Sequence, residues 1–396
     1  MNKSIGNNLP RVKVQNQYAI KELVYKFGPI SRIEIAERLG LTLPTITTSV
    51  STMIKLGLLK EVDNTSSVKT LGRRTMLIDI DEDYCLSVGI EIRGTARFGV
   101  LVNTKGKVIA QAFDDKAYIS YEESLESAVQ VFEKLLELAK VHKEDIACVG
   151  LSTPGIVDTK LNKLVIHPGY QWADKSIAED FFKLSDYRGE IYLDNNTISR
   201  AYGVSMLESQ ILGDADSLAY MFISYGIGCP LLSNVKEHFG IITGDGEVGH
   251  MVMNPDGPKC ICGNRGCLEA YSSERAIIEK VKEVLNYPNE MTIDDVLEKV
   301  KEGNEEVKAI VLDAIEYLGL AIANIDNFVR PECVVIECKL FDEDVNRELL
   351  LQTIHQNLYR DTFQEYRFYF KHSDIYSGAK GIAAVAIKHH LEAFME

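Results

Sequence analysis

The sequence predicts a mixed α/β fold in which a small winged helix-turn-helix module precedes a larger, two-part α/β body. Three observations carry that expectation. Residues 1–80 hold 12 Lys/Arg against 6 Asp/Glu, a net of +6, and their apolar residues recur at helical spacing before two strand-like runs. From residue 84 the texture changes to strands alternating with helices, and the rest of the chain carries a net of −21 within a total of −15. A strand–Gly turn–strand unit, "CLSVGIEIRGTARFGVLVNTKGKVIAQ", is matched by a second, "LAYMFISYGIGCPLLSNVKEHFG". A chain of 396 residues is long enough for two or three domains with proper cores.

In the N-terminal module, "NQYAIKELVYKFG" sets Ile20, Leu23, Val24 and Phe27 on one helical face, and Gly28 follows as a stop. "SRIEIAERLG" opens with Ser31 and Glu34 in capping-box spacing, turns Ile35 and Leu39 inward and ends at Gly40. The helix "TLPTITTSVSTMIKLG" places Pro44 in its first turn and Ile46, Val50 and Ile54 on its inner face. Its outer face is Thr45, Thr47, Thr48 and Ser51, short hydroxyls able to approach phosphates and base edges. "LLKEV" and "TMLIDI" then predict two wing strands, with Arg73 and Arg74 in the loop between them poised for a minor groove or phosphate. Helices, turn, wing and local positive charge together point to double-stranded DNA, where a basic surface alone would not.

In the body, each Gly turn between strands is a place where backbone N–H groups approach an anion closely. His250, Cys260, Cys262 and Cys267 lie within "HMVMNPDGPKCICGNRGC", with C-x-C-x4-C spacing in a Gly-rich stretch. Four protein ligands saturate tetrahedral zinc and leave no position for water, so a structural Zn2+ is expected and a catalytic one is not. The other cysteines are scattered and are expected as thiols in a reducing compartment. Nothing approaches an apolar membrane span, and the start lacks the apolar centre of a signal peptide, so a cytoplasmic protein is expected.

The segments "VGLSTPGIVD", "IYLDNNTISRAYG", "GEVGH", "CICGNRGCLEAYSS" and "YLGLAIANIDNFVRPECVVIE" stand in the order seen in the ROK family of sugar kinases and repressors. The body resembles that family from about residue 84 onward, and with its N-terminal module the chain resembles the family's repressors of sugar-utilisation genes. The resemblance implies an actin-like, ribonuclease-H-like pair of lobes closing over a sugar cleft. It divides the chain into a DNA-binding domain (1–80), one lobe (84–195 with the C-terminal helix 378–396) and a second lobe (196–377) carrying the zinc loop. It implies sugar contacts from Asn195, Asn196, Glu247, His250 and Glu269, with His250 shared between the metal and a sugar hydroxyl. Trp172, the one tryptophan, is expected in the core sooner than in the cleft.

Against that template the kinase chemistry is degraded. Where the family's kinases carry an Asn-Asp pair whose Asp deprotonates the sugar hydroxyl, this chain has Asn195-Asn196, and an amide is no general base. The first phosphate loop is "EIRGT", with Glu91 and Arg93; Pro230 removes a donor from the second; Glu337 and Cys338 replace a later Gly pair. No catalytic residue is therefore assigned. The expectation is a non-enzymatic regulator, a repressor acting on a palindromic operator as a homodimer or tetramer and answering a sugar or sugar phosphate. The rival readings are an active ROK sugar kinase, for which Glu91 or Asp194 would have to serve as base, and a regulator controlled by a protein partner.

Overall fold

The computed structural model describes residues 9–63, 76–167, 169–170, 172–233, 246–359 and 367–393. The N-terminal module begins with helix α1 (Leu9–Phe27), strand β1 (Ile30–Ser31), α2 (Arg32–Leu39) and α3 (Leu43–Lys55). Ser31 caps α2 by accepting the Glu34 N–H at 3.1 Å, and Gly40 ends it in the left-handed region at φ 62°. Glu34 turns to Arg38 at 2.8 Å, so the capping is one-sided and not the reciprocal box that the spacing suggests. Strands β2 (Leu59–Asp63) and β3 (Met76–Ile80) pair antiparallel, and β1 adds a third strand on the far edge of β3. The loop between β2 and β3, with Arg73 and Arg74, lies outside the described residues.

Behind it stands a five-stranded sheet, ordered β11-β7-β4-β5-β6. It is made of β4 (Leu86–Ile92), β5 (Arg97–Asn103), β6 (Val108–Asp114), β7 (Ile146–Thr153) and β11 (Glu190–Asn195). Strands β4, β7 and β11 run parallel, while β5 and β6 form an antiparallel edge. Helix α4 (Tyr121–Ala139) covers one face and α12 (Ser377–Ala393) returns from the chain's far end to cover the other. The α12 backbone lies so close that a Cβ at Gly89 would sit 2.0 Å from the Ala379 carbonyl oxygen. Glycine at position 89 of β4 is thus a packing requirement. A short sheet of β8 (Ile156–Asp158), β9 (Lys163–Ile166) and β10 (Ala173–Lys175), followed by α5 (Ile177–Ser185), flanks this lobe. Trp172 is buried there, its indole N–H donating to the Ile119 carbonyl at 2.9 Å.

Helix α6 (Asn196–Leu207) leaves the first sheet and leads to the second. That sheet is ordered β13-β12-β15-β16, with β14 also on β12. Its strands are β12 (Ser217–Ile223), β13 (Ile227–Gly228), β14 (Leu231–Ser233), β15 (Cys333–Glu337) and β16 (Phe368–Lys371). Helices α7 (Glu269–Ser272), α8 (Glu274–Val284), α9 (Ile293–Lys301), α10 (Glu305–Val329) and α11 (Asp344–Asn357) complete the lobe. Their inner faces, including Ile277, Val296, Val311, Ile315 and Leu350, bury against Met221 and Ile336 in one core. Among the described residues no helix is long and apolar enough to cross a membrane.

The N-terminal module does not hang free. Ile20 and Val24 of α1 with Ile78 and Ile80 of β3 share an apolar cluster with Phe98, Val100, Ala383 and Ile387 of the first lobe. Tyr25 donates to the Thr104 carbonyl at 2.8 Å, Tyr18 to Glu392 at 2.9 Å, and Lys105 pairs with Asp79 at 2.6 Å.

Candidate functional site

The cysteine turn is built as a tight hairpin. Cys260 donates its N–H to the Asn264 carbonyl at 2.8 Å, and bridges pair Lys259 with Arg265 and Val252 with Cys267. Gly266, at φ 69°, lies where a Cβ would strike the Asn254 carbonyl at 1.5 Å, so only glycine closes the loop. The result gathers His250, Cys260, Cys262 and Cys267 with all ligand atoms within 4.8 Å of one another. His250 Nδ1 lies 3.7 Å from Cys260 Sγ, and Cys262 and Cys267 sulfurs lie 3.7 Å apart. Bonds of about 2.3 Å to a tetrahedral zinc would separate sulfurs by ~3.8 Å. The donor set and spacing fit a zinc ion held by His250 Nδ1, which would leave Nε2 without the metal.

Several residues expected at a sugar cleft lie around the β12–β13 turn. A Cβ on Gly228 would touch Thr197 at the start of α6, and one on Gly249 would meet the Ile227 carbonyl at 2.4 Å. The turn carrying Glu247 and His250 and the start of α6 therefore flank the same hairpin. Gly226 lies against Glu269, whose Oε2 would be 3.1 Å from an added Cβ. Glu269 is 4% exposed and its Oε1 has no hydrogen-bond partner, although the Arg275 guanidinium stands 3.5 Å away. A buried acceptor left open in this way marks a place that a donor can fill. Glu247 lies at the rim; burial of its carboxyl raises its pKa, Glu269 adds to the rise and His250 opposes it.

Asn195 caps α6. Its Oδ1 accepts the N–H groups of Thr197 at 2.8 Å and Ile198 at 3.2 Å, and its Nδ2 donates to the Gly155 carbonyl at 2.9 Å, leaving one amide hydrogen. Asn196 is buried and donates from Nδ2 to Glu91 Oε1 at 3.0 Å. Glu91, fully buried, also receives Arg93 at 2.8 Å and Arg200 at 2.9 Å. Burial alone would raise its pKa, but Arg200 first and Arg93 next, with the Arg93 and Asn196 hydrogen bonds, hold it down at about 2. A carboxylate so neutralised has no basicity for a hydroxyl proton. Asp194 lies in register with Ser152 and Glu91 on the α12 side of the sheet, 8% exposed, its pKa raised by burial to about 7 with the Asn195 N–H opposing. The first Gly turn is covered: a Cβ on Gly94 would lie 1.8 Å from the Tyr170 ring.

Arg200, and its pairing with Glu91 and Glu337, is what sequence reasoning missed. Arg200 lies within "TISRAYG", and its acidic partners are more than a hundred residues away on strands of different lobes. The available signal was two apolar strands, "GIEI" and "VVIE", each carrying one glutamate.

On the outer face of α3, Thr47 and Thr48 are exposed and Thr45 and Ser51 half-buried, while Ile46 and Val50 are fully buried. The hydroxyls of Thr47 and Thr48 donate back to Leu43 and Pro44 carbonyls at 2.8 and 2.9 Å. A phosphate, which only accepts, would require those hydroxyls to rotate, whereas base donors and thymine methyls meet them as they stand.

A short winged helix-turn-helix module packed against α/β lobes of actin-like fold defines the architecture. Residues 87–389 match the ROK family, and the chain belongs to it. It is 24% identical to the xylose repressor of Bacillus subtilis over 96% of this chain and 97% of that one. The crystal structure of a ROK family transcriptional regulator, a homolog of the E. coli MLC protein, superposes with a TM-score of 0.76 at 20% identity, covering 97% and 98% of the two chains. A ROK hexokinase from Thermus thermophilus gives 0.61 at 22% identity, covering 77% of this chain and 98% of its own. The actin-like fold with its N-terminal module is thereby shown.

Proposed function

We propose that this protein is a sugar-responsive transcriptional repressor of carbohydrate-utilisation genes that does not phosphorylate its ligand. The observation that carries the reading is Asn196: an amide stands where phosphoryl transfer needs a carboxylate, and it is tied to a glutamate already neutralised by two arginines. We take neither Glu91 nor Asp194 as its replacement: the first is ion-paired, and the second is buried and accepts the Asn195 N–H. The Tyr170 ring over Gly94 further supports loss of nucleotide binding.

In this reading Thr45, Thr47, Thr48 and Ser51 face the major groove of a palindromic operator, and Arg73 and Arg74 contact the backbone or minor groove. Asn195, Asn196, Glu247, His250 Nε2 and Glu269 Oε1 hold sugar hydroxyls. Zinc on His250, Cys260, Cys262 and Cys267 is structural: it fixes the turn that presents Glu247 and, through Cys267, the start of α7 with Glu269. The divisions 1–80, 84–195 with 378–396, and 196–377 are supported by the membership of the two sheets and by α12 packing on the first. The protein works in the cytoplasm as a dimer or a dimer of dimers. Because the DNA module shares a core cluster with the first lobe, lobe closure would move the two modules of a dimer relative to each other. Operator half-sites are spaced by about one helical repeat, ~34 Å, so a modest rotation breaks the fit.

The test is fluorescence anisotropy with an operator selected from a random duplex pool, in the presence of pentoses, hexoses and their phosphates. One sugar is expected to weaken binding at least about tenfold, a coupling of ~1.4 kcal/mol. Operator affinity unchanged by every sugar would reject the effector role, and sugar-dependent ADP formation would restore the kinase.

A further inference from the structure

Four buried or half-buried charges run across the crevice between the lobes. Arg93 pairs with Glu91 at 2.8 Å, Glu91 with Arg200 at 2.9 Å, and Arg200 with Glu337 at 2.7 Å, while the Tyr220 hydroxyl donates to the other Glu337 oxygen. Glu91 belongs to the first sheet, Glu337 and Tyr220 to the second, and Arg200 to α6 between them. Glu91 and Glu337 are fully buried and Arg200 is 2% exposed. Phe222 of the second sheet packs under the Arg200 guanidinium, 4.1 Å from its centre. Two guanidinium groups and two carboxylates cancel, so the network is neutral as a whole, and losing one partner strands a buried ion.

Asn196 closes the network on the cleft side. An ionised carboxylate only accepts, so the Asn196 nitrogen has to face Glu91, and the orientation of this amide is fixed by chemistry. Its Oδ1 is the acceptor left for a ligand, beside one remaining amide hydrogen.

We infer that Glu91, Arg200 and Glu337 form a clamp that holds the two lobes at a set angle, and that Glu91 is a positioning residue presenting Asn196 as an acceptor for a ligand hydroxyl. The second half rests on the cleft being the effector site; the first stands on the ligand-free protein. A ligand that draws on Asn196 draws on Glu91 and, through Arg200, on the second lobe, so occupancy and lobe angle are joined without a nucleotide. At its Oδ1, Asn196 then takes a hydroxyl and rejects an ether oxygen, since two acceptors repel.

The clamp is tested by double electron–electron resonance on the ligand-free full chain. The spin labels sit on encoded keto residues replacing the exposed Glu126 of α4 and Glu298 of α9, one in each lobe. The native network is expected to give a single narrow distance distribution, and E91Q/R200M/E337Q one about twice as broad. Equal widths overturn the clamp. Should the triple variant not fold by circular dichroism, E337Q, which leaves Arg200 on Glu91, carries the same two outcomes.

Positioning is tested with the sugar that stabilises the native protein and its singly O-methylated analogues. Methylating the hydroxyl that meets Asn196 is expected to weaken binding about tenfold in the native protein and under about threefold in E91Q. The amide introduced by E91Q can accept as well as donate, and so lets Asn196 turn over. A penalty as large in E91Q as in the native protein overturns the positioning role. If no sugar stabilises the native protein, the effector reading fails, and the distance distributions still decide the clamp.

Discussion

Asp194 and Asn196 flank the α6 cap and carry opposite lessons about a buried carboxyl. Asp194 is about half protonated at neutral pH, its pKa lifted by burial to about 7 from an ordinary 3.8. An acid whose pKa is higher folded than unfolded adds stability below its unfolded value, and that contribution is lost as pH rises to about 7. Asp194→Asn keeps the acceptor for the Asn195 N–H and removes the titration, so its stability relative to the native protein is expected to rise between about pH 4 and 7. The full swing is about 4 kcal/mol as an upper bound, of which paired denaturant melts at about pH 5 and 8 read roughly 2–3 kcal/mol; a pH-independent difference would contradict it. Asn196→Asp restores the kinase residue by name but sets a second carboxyl about 3 Å from Glu91. Like charges so close keep one of them protonated, so ADP formation is expected to stay at background while the protein loses ~1–3 kcal/mol. Asn196 was legible from its place in "LDNNTISRAYG", but Glu91 was legible only as a degraded loop residue. What makes both matter is Arg200, and a contact across 109 residues leaves no local pattern to read.

Elements were more legible than contacts, for a physical reason: caps, turns and periodicity act over a few residues and so are written locally. Ser31, Gly40 and the Ile46/Val50 stripe marked α2 and α3, and the structure has both helices there. Strand β1 was invisible because two residues carry no period, and it exists only because Ile78 and Leu77 pair with it. Removing the Ser31 cap by Ser31→Ala is expected to cost about 1 kcal/mol, seen in thermal melts, and to leave the wing pairing in place. The cysteine turn was legible as a ligand set, since glycine and cysteine spacing is itself local. If it holds zinc, a chelator such as TPEN or Cys262→Ser should release about one metal per chain by mass spectrometry. Residues 246–268 should then be cleaved by protease far sooner than α10, because a turn with so little apolar burial depends on its metal. Equal resistance with and without chelator would make the cluster four ordinary side chains.

Across the molecule, the segment that meets both proposed sites is α12. One stretch of it packs under the first sheet beside the DNA module, with Ala383 and Ile387 in the shared cluster, and another crosses α6 just past Asn196 and Arg200. That crossing is tight because it is glycine on glycine: a Cβ on Gly203 would lie 2.8 Å from the Gly381 Cα, and one on Gly381 would lie 2.1 Å from the Ser199 carbonyl oxygen. Backbone sits on both sides of the contact, so no side chain can swing aside, and an added methyl has to push the helices apart. Gly381→Ala is therefore expected to cost ~1–3 kcal/mol, with part of the loss recovered by the higher helix propensity of alanine. It should also leave the zinc turn and the outer face of α3 untouched, so operator binding without sugar should survive while the sugar's effect on it shrinks. The measurement is the operator titration repeated with and without the effector on native and Gly381→Ala protein at matched fractions folded. A coupling that survives intact in a destabilised variant would mean that the signal from the cleft reaches the DNA module by another route than the α6–α12 crossing.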